Sequence, residues 1–83
     1  MEVDLKKLDL ICGSRESSGI YEDGDYWVAT NLEGKPDKRI LKSKFPYWPL
    51  SAVLKYNMQA VNTKRLEELD KQLGRALGKR KKK

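Results

Sequence analysis

The residues of this chain that could do chemistry are cations set among aromatics. Lys35, Lys38, Arg39, Lys42 and Lys44 follow one another between Tyr26-Trp27 and Tyr47-Trp48, and the chain ends in Lys79-Arg80-Lys81-Lys82-Lys83. Cations in this density can neutralise phosphates, and each neutralised phosphate releases a condensed counterion. Arg39 adds a fork that can bind guanine bidentately if it faces outward. Aromatics beside lysines can stack on unpaired bases. What is missing matters as much. With no histidine in the chain, a Ser-His-Asp or Cys-His nucleophile, a His-ligated zinc and an imidazole base are all excluded. No pair of carboxylates stands out for acid–base work. The sequence points to binding rather than catalysis, and calls for no metal and no cofactor.

The net charge of +6 hides an asymmetry. Met1 to Glu33 carries eight acidic and three basic residues, a balance of −5, and Gly34 to Lys83 carries fifteen basic and four acidic, a balance of +11. Five of those fifteen are the terminal run, without which the chain is only +1. A basic half beside an acidic half suits a polyanion approached from one side.

Eighty-three residues make one small domain. No run approaches the ~20 apolar residues of a membrane span, and Met1 is not followed by a signal-peptide pattern. The expected location is intracellular, with no membrane partner. Cys12 is alone, so no internal disulfide can form, and a small buried apolar role suits it best.

The elements that must hold the cations follow from periodicity. In "MEVDLKKLDLIC", Leu5, Leu8, Ile11 and Cys12 lie at helical spacing, with Asp4 as a cap, although Val3 and Leu5 also alternate as in a strand. "GSRESSG" is a loop by composition. Three strand-like runs follow: one at Ile20-Tyr21, then "DYWVATNL", then "RILKSKF". The turns between them are marked by Asp23-Gly24 and by "EGKPDK". Alternation sends Trp27 and Ala29 one way and Tyr26, Val28 and Thr30 the other. In the third run Leu41 and Phe45 suit a buried face, and Lys42 and Lys44 an open one.

Pro49 suits the first turn of a helix. Leu50, Val53, Leu54, Met58 and Val61 form its apolar stripe, with Ser51 and Lys55 on the polar side. A second stripe, Leu66, Leu69, Leu73 and Ala76, lies roughly 140° around the axis from the first. One straight helix cannot turn both stripes to one core, so a break is expected near Asn62-Thr63, where Thr63 can cap a new helix. Gly78 is a natural stop. The expected fold is α+β: a three-stranded antiparallel sheet over about 19–45, packed on a helix over about 50–61. A further helix over about 63–77 completes a single domain of residues 1–78, and a disordered basic tail occupies 79–83.

The order Gly19-Ile20, then Trp27-Val28-Ala29, Gly34-Lys35, Phe45, and finally Ala52-x-x-x-Tyr56-x-x-x-Ala60 resembles the three-stranded-sheet-plus-helix DNA-binding domain of plant ethylene-response transcription factors. The same unit occurs in phage homing endonucleases and, more loosely, in the arm-type binding domains of phage integrases. The likeness covers about Ser18 to Val61. It implies that the outer face of the sheet lies in the major groove of duplex DNA. Here the pattern departs: the first strand and its turn, arginine-rich in that family, carry Tyr21, Glu22, Asp23 and Asp25.

The expected function is therefore that of a small non-enzymatic DNA-binding protein of phage or mobile-element type, a regulator or a recombination accessory factor. Its expected contacts are Thr30, Lys35, Lys38, Arg39, Lys42 and Lys44 on the sheet, with Lys79, Arg80, Lys81, Lys82 and Lys83 as an anchor. Two alternatives stand beside it. One is a protein-interaction module such as a host-factor inhibitor, suggested by "IYEDGDYW". Its seam, or a self-association seam, would be Leu66, Leu69, Leu73 and Ala76. The other is RNA binding through the tail and the aromatics.

Overall fold

The computed structural model describes residues 3–81, with side chains as far as Gly74. Its sheet has four strands, not three: β1 (Asp9–Gly13), β2 (Gly19–Asp23), β3 (Tyr26–Thr30) and β4 (Pro36–Leu41). Each pairs antiparallel with the next in chain order. Two helices follow, α1 (Trp48–Tyr56) and α2 (Thr63–Lys81). Among the described residues no helix is long and apolar enough to cross a membrane.

The added strand is β1, where the spacing of Leu5, Leu8, Ile11 and Cys12 suggests a helix. Only a single 3-10 turn forms, Leu5–Lys7, with the Asp4 carboxylate accepting from the Lys6 N–H at 3.2 Å. Beyond it the backbone is bonded on both sides. Leu10 lies opposite Tyr21 and Cys12 opposite Ile20 in β2. On the other side the Gly13 N–H donates to the Gln59 carbonyl at 2.7 Å, and the N–H groups of Val61 and Asn62 both donate to the Ile11 carbonyl. These long-range bonds outweigh a weak helical propensity. A register shift between Leu10 and Cys12 breaks the alternation, so Ile11 and Cys12 are both buried. Gly13 turns out of the strand at φ +94°, where a Cβ would stand 2.4 Å from the Gly19 Cα. No side chain fits there.

The same pairing shortens the first helix. It begins with Pro49 in its first turn, as expected, but ends at Tyr56 rather than near residue 61. Asn57 takes the left-handed conformation at φ 55°, and its N–H donates to the Ala52 carbonyl. Residues beyond it run out to meet β1, where Ala60 bridges Cys12. The break before the second helix is present. Its cap is Asn62 rather than Thr63: the Asn62 Oδ1 accepts from the Arg65 N–H at 3.0 Å. α2 then continues past Gly78 to Lys81. The tail expected to be disordered thus has a helical backbone over its first three residues, and Lys82 and Lys83 lie outside the described residues.

The core lies between the sheet and the two helices. It comprises Ile11, Cys12, Ile20, Trp27, Leu50, Ala52, Leu66 and Leu69. The second leucine stripe is therefore a core face. Leu66 and Leu69 are buried and Leu73 packs at the rim, so none of the first two is open to a partner; the Ala76 side chain lies outside the described residues. Trp27 and Ala29 point to the helices, as alternation predicts. Leu41 does not. The β3–β4 register sets Trp27 opposite Ile40 and Ala29 opposite Lys38, so Ile40 faces the helices and Leu41, with Arg39, faces away. Leu41, Phe45 and Leu54, all expected inside, are exposed.

Over β2 and β3 the other face of the sheet is not a free surface either. Tyr21 and Val28 are 1% and 0% exposed, and Thr30 is buried. Arg15 folds over this side. Its guanidinium lies 5.3 Å from the centre of the Tyr21 ring and donates to the carbonyls of Leu5 and Leu8, both at 3.0 Å.

Candidate nucleic-acid interface

Lysines gather near aromatic residues in two separate places, and only one is open. The closed cluster is built on Trp27, wholly buried, whose Nε1–H donates to the Phe45 carbonyl at 2.8 Å. The Lys42 ammonium stands 4.7 Å from the centre of its ring and the Arg65 guanidinium 5.9 Å. Both cations converge on Glu22. Lys42 donates to its Oε2, and Arg65 donates through Nε and Nη2 at 3.0 Å each. Arg65 also reaches Glu68 at 3.2 Å. Burial alone would raise the Glu22 pKa, but the hydrogen bonds and charges of Arg65 and Lys42 outweigh it and hold the carboxyl below its ordinary value. Arg65 is held above its own by the same bond to Glu22. The cluster ties β2, the segment after β4 and α2 together, and leaves little charge for a partner.

The open site lies at the β4 edge of the sheet. The β1 edge is closed by residues 59–62, while β4 is an outer strand with no neighbour beyond it among the described residues. Pro36 at its start is compatible with that position, since it has no N–H to offer a ladder. Lys38 and Ile40 point from β4 toward the helix side, and α1 presents Ser51, Lys55 and Tyr56 across from them. Phe45, Pro46, Tyr47 and Trp48 close the end. Together these residues line a cleft of about 510 Å³ that also includes Lys44. No carboxylate lines it. Among the described residues Lys38, Lys44 and Lys55 have no ion-pair partner. Phe45 is 52% exposed and Tyr56 76%. Tyr47 and Trp48 are half-buried and packed against the core, so they hold the wall in place.

A second hollow adjoins the first around Lys44 and Phe45, on the other side of β4, lined by Tyr26, Arg39, Ile40 and Leu41. Arg39 does face outward here. Its guanidinium lies 3.9 Å from the Tyr26 ring centre, and its Nε is 3.7 Å from the Asp23 carboxylate.

The expected contact residues are thus divided. Lys38 and Lys44 share the cleft. Arg39 flanks it, partly neutralised. Lys35 is exposed in the β3–β4 turn, away from the cleft lining. Lys42 belongs to the closed cluster. Thr30 is structural: its hydroxyl accepts from the Gly19 N–H at 2.8 Å and donates to the Ser17 carbonyl at 3.0 Å. Lys79, Arg80 and Lys81 extend α2 with side chains outside the described residues, as are Lys82 and Lys83 altogether. Lys55 and Tyr56 complete the cleft without having been expected there. The sign was in the sequence: Ser51 and Lys55 share the polar side of their helix, directly after the aromatic run Phe45-Pro46-Tyr47-Trp48. Arg65 had no local sign, since its partner lies 43 residues away.

Two further observations concern the described residues. No three carboxylate or thiol groups gather to hold a metal ion. The Cys12 thiol is pushed up to about 11 by burial, against a hydrogen bond involving Ile20, and its Sγ lies 3.4 Å from the Met58 Sδ. It is a packed side chain, not a thiolate. No family model matches the chain, nor does any curated protein or solved structure.

Proposed function

We propose that this is a non-enzymatic nucleic-acid-binding protein that meets its ligand along the β4 edge and the cleft between β4 and α1. The observation that carries the reading is the convergence of Lys38, Lys44 and Lys55, without carboxylate partners among the described residues, on one aromatic-lined hollow. Edge-strand lysines also deter strand-to-strand aggregation. That role would account for Lys38, but not for Lys55 on a helix or for the exposed Phe45 and Tyr56 beside it. The flat of the sheet, where the resemblance would set duplex DNA, carries the buried Tyr21, Val28 and Thr30, so docking is assigned to the edge. Lys35 and Arg39 extend the basic strip, and the terminal lysines add an anchor without sequence preference. The protein-interaction alternative is weaker, because Leu66 and Leu69 are in the core and Glu22 and Asp23 face cations of this chain.

The test is an electrophoretic shift of the full chain with random-sequence duplex and with single strand at low salt, repeated as salt is raised. The expected result is a shift that weakens steeply with salt. Replacing Lys38, Lys44 and Lys55 together by alanine should flatten the salt dependence by roughly two to three units of slope, at ~0.7–0.9 per phosphate contact. No shift with either form at low salt removes the proposal.

A further inference from the structure

We infer that the cleft between β4 and α1 is a base-stacking site that takes unpaired nucleotides of a single strand. The inference rests on the nucleic-acid reading above and narrows it. A duplex offers its phosphates on a convex outer surface and keeps its base faces stacked against one another. Lysines alone, on any surface, would serve such a ligand. They would leave Phe45 and Tyr56 with nothing to touch.

A single strand offers both groups the cleft can use. Its bases have open faces that stack on aromatic rings, and its phosphates alternate with them along the backbone. The cleft lining carries both kinds of group: Lys38 from β4, Lys55 from α1 and Lys44 from the segment between them, with Phe45 and Tyr56 exposed. Its volume of about 510 Å³ falls within the ~300–1,000 Å³ of sites that enclose small ligands. Besides the lysines its polar side chains are those of Ser51, Tyr47, Tyr56 and the Trp48 indole, with no arginine, asparagine or glutamine to read a base edge. The site should therefore accept bases with little sequence preference.

The two tryptophans provide the readout. Trp27 is wholly buried and bonded to the Phe45 carbonyl, whereas Trp48 lines the cleft, so quenching by a stacked base reports on Trp48. The full chain is titrated with oligothymidylate, with oligouridylate, with a duplex of equal length and with heparin. Binding of either single strand with quenching, about tenfold or more tighter than the duplex, is the expected result. Tyr56→Ala should weaken single-strand binding by about tenfold, and Tyr56→Phe should restore it, because stacking needs the ring and not the hydroxyl. Phe45→Ala should act in the same direction. Equal or tighter binding of duplex, the same quenching by heparin, or a Tyr56→Ala variant that binds as the parent does would overturn the inference while leaving nucleic-acid binding in place. No binding to any of the nucleic acids would remove both.

Discussion

The Trp27 cluster and the β4–α1 cleft use the same ingredients to opposite ends. Each brings lysines together with aromatic residues. In the first, Glu22 supplies the countercharge, Arg65 closes the top, and the tryptophan is fully buried. In the second no carboxylate is present among the lining residues, and the rings stand half or more exposed at Phe45 and Tyr56. A lysine beside an aromatic is thus not itself a sign of binding. What separates the two regions is whether the chain sets its own anion beside the lysines. The comparison predicts that substitutions in the first cluster change stability and leave binding alone, and that substitutions in the second do the reverse.

The largest effect should come from Trp27→Ala. It empties the centre of the core and frees the Phe45 carbonyl, at a cost of about 3–5 kcal/mol. Against a total of ~5–15 kcal/mol, with a small domain near the lower end, much of the population should unfold. A urea melt followed by circular dichroism checks this. A cooperative transition near that of the parent would mean that Trp27 does not hold the fold together.

Glu22→Gln comes next. It leaves Lys42 and Arg65 without their shared anion, for which about 1.5–3 kcal/mol is a fair scale for charge-assisted bonds. The pH dependence carries the sign. Because the Glu22 carboxyl is held below its ordinary value in the fold, its contribution is fully present above the unfolded value of ~4.3 and fades as pH falls through the lower folded value. The parent should lose stability on acidification in that window, and Glu22→Gln should lose less there. Parallel acid melts of the two proteins would show that the cluster is not what the acid limb reports.

How much of this was legible in the sequence differs between the two regions. The hairpin of β2 and β3 was, because Asp23-Gly24 and the alternation around Trp27 are local signals, whereas the third strand expected at Arg39–Phe45 forms earlier, at Pro36–Leu41. β1 was not. Its backbone partners lie in β2 and in residues 59–62, and the register shift at Leu10–Cys12 removes the period that would have identified it. The end of α1 was hidden for the same reason: Ala52, Tyr56, Met58 and Ala60 continue a helical pattern, and only pairing with β1 pulls the last of these out. Lys38 and Lys44 could be picked out as cations on an edge. That Lys42 would be neutralised depended on Glu22, twenty residues earlier, which no spacing rule connects. The cleft was half visible, as an aromatic run followed by a helix with Lys55 on its polar side.

Lys42→Ala against Lys44→Ala is the sharpest pairwise test, since the two residues are neighbours but one. Lys42→Ala removes one donor to Glu22 and a cation over the Trp27 ring, while Arg65 stays. About 1 kcal/mol of stability should be lost. The salt slope of nucleic-acid binding should not move. Lys44→Ala should leave the melt within about 0.5 kcal/mol, as exposed surface changes do, and lower the slope by roughly 0.7–0.9. Finding both effects in both variants would mean that the two regions are one electrostatic unit.

The smallest effect on stability is expected at Tyr56. Its ring is largely exposed at the last turn of α1, and in the described residues it makes no hydrogen bond. Tyr56→Ala should shift a thermal melt by no more than the change of about 0.5 kcal/mol expected of a surface site, because little apolar surface leaves water there on folding. A ring that does so little for the fold is free to meet the ligand in the proposed function. If instead Tyr56→Ala costs as much as a core truncation, the residue belongs with Trp27, and the line drawn between closed and open clusters falls in the wrong place.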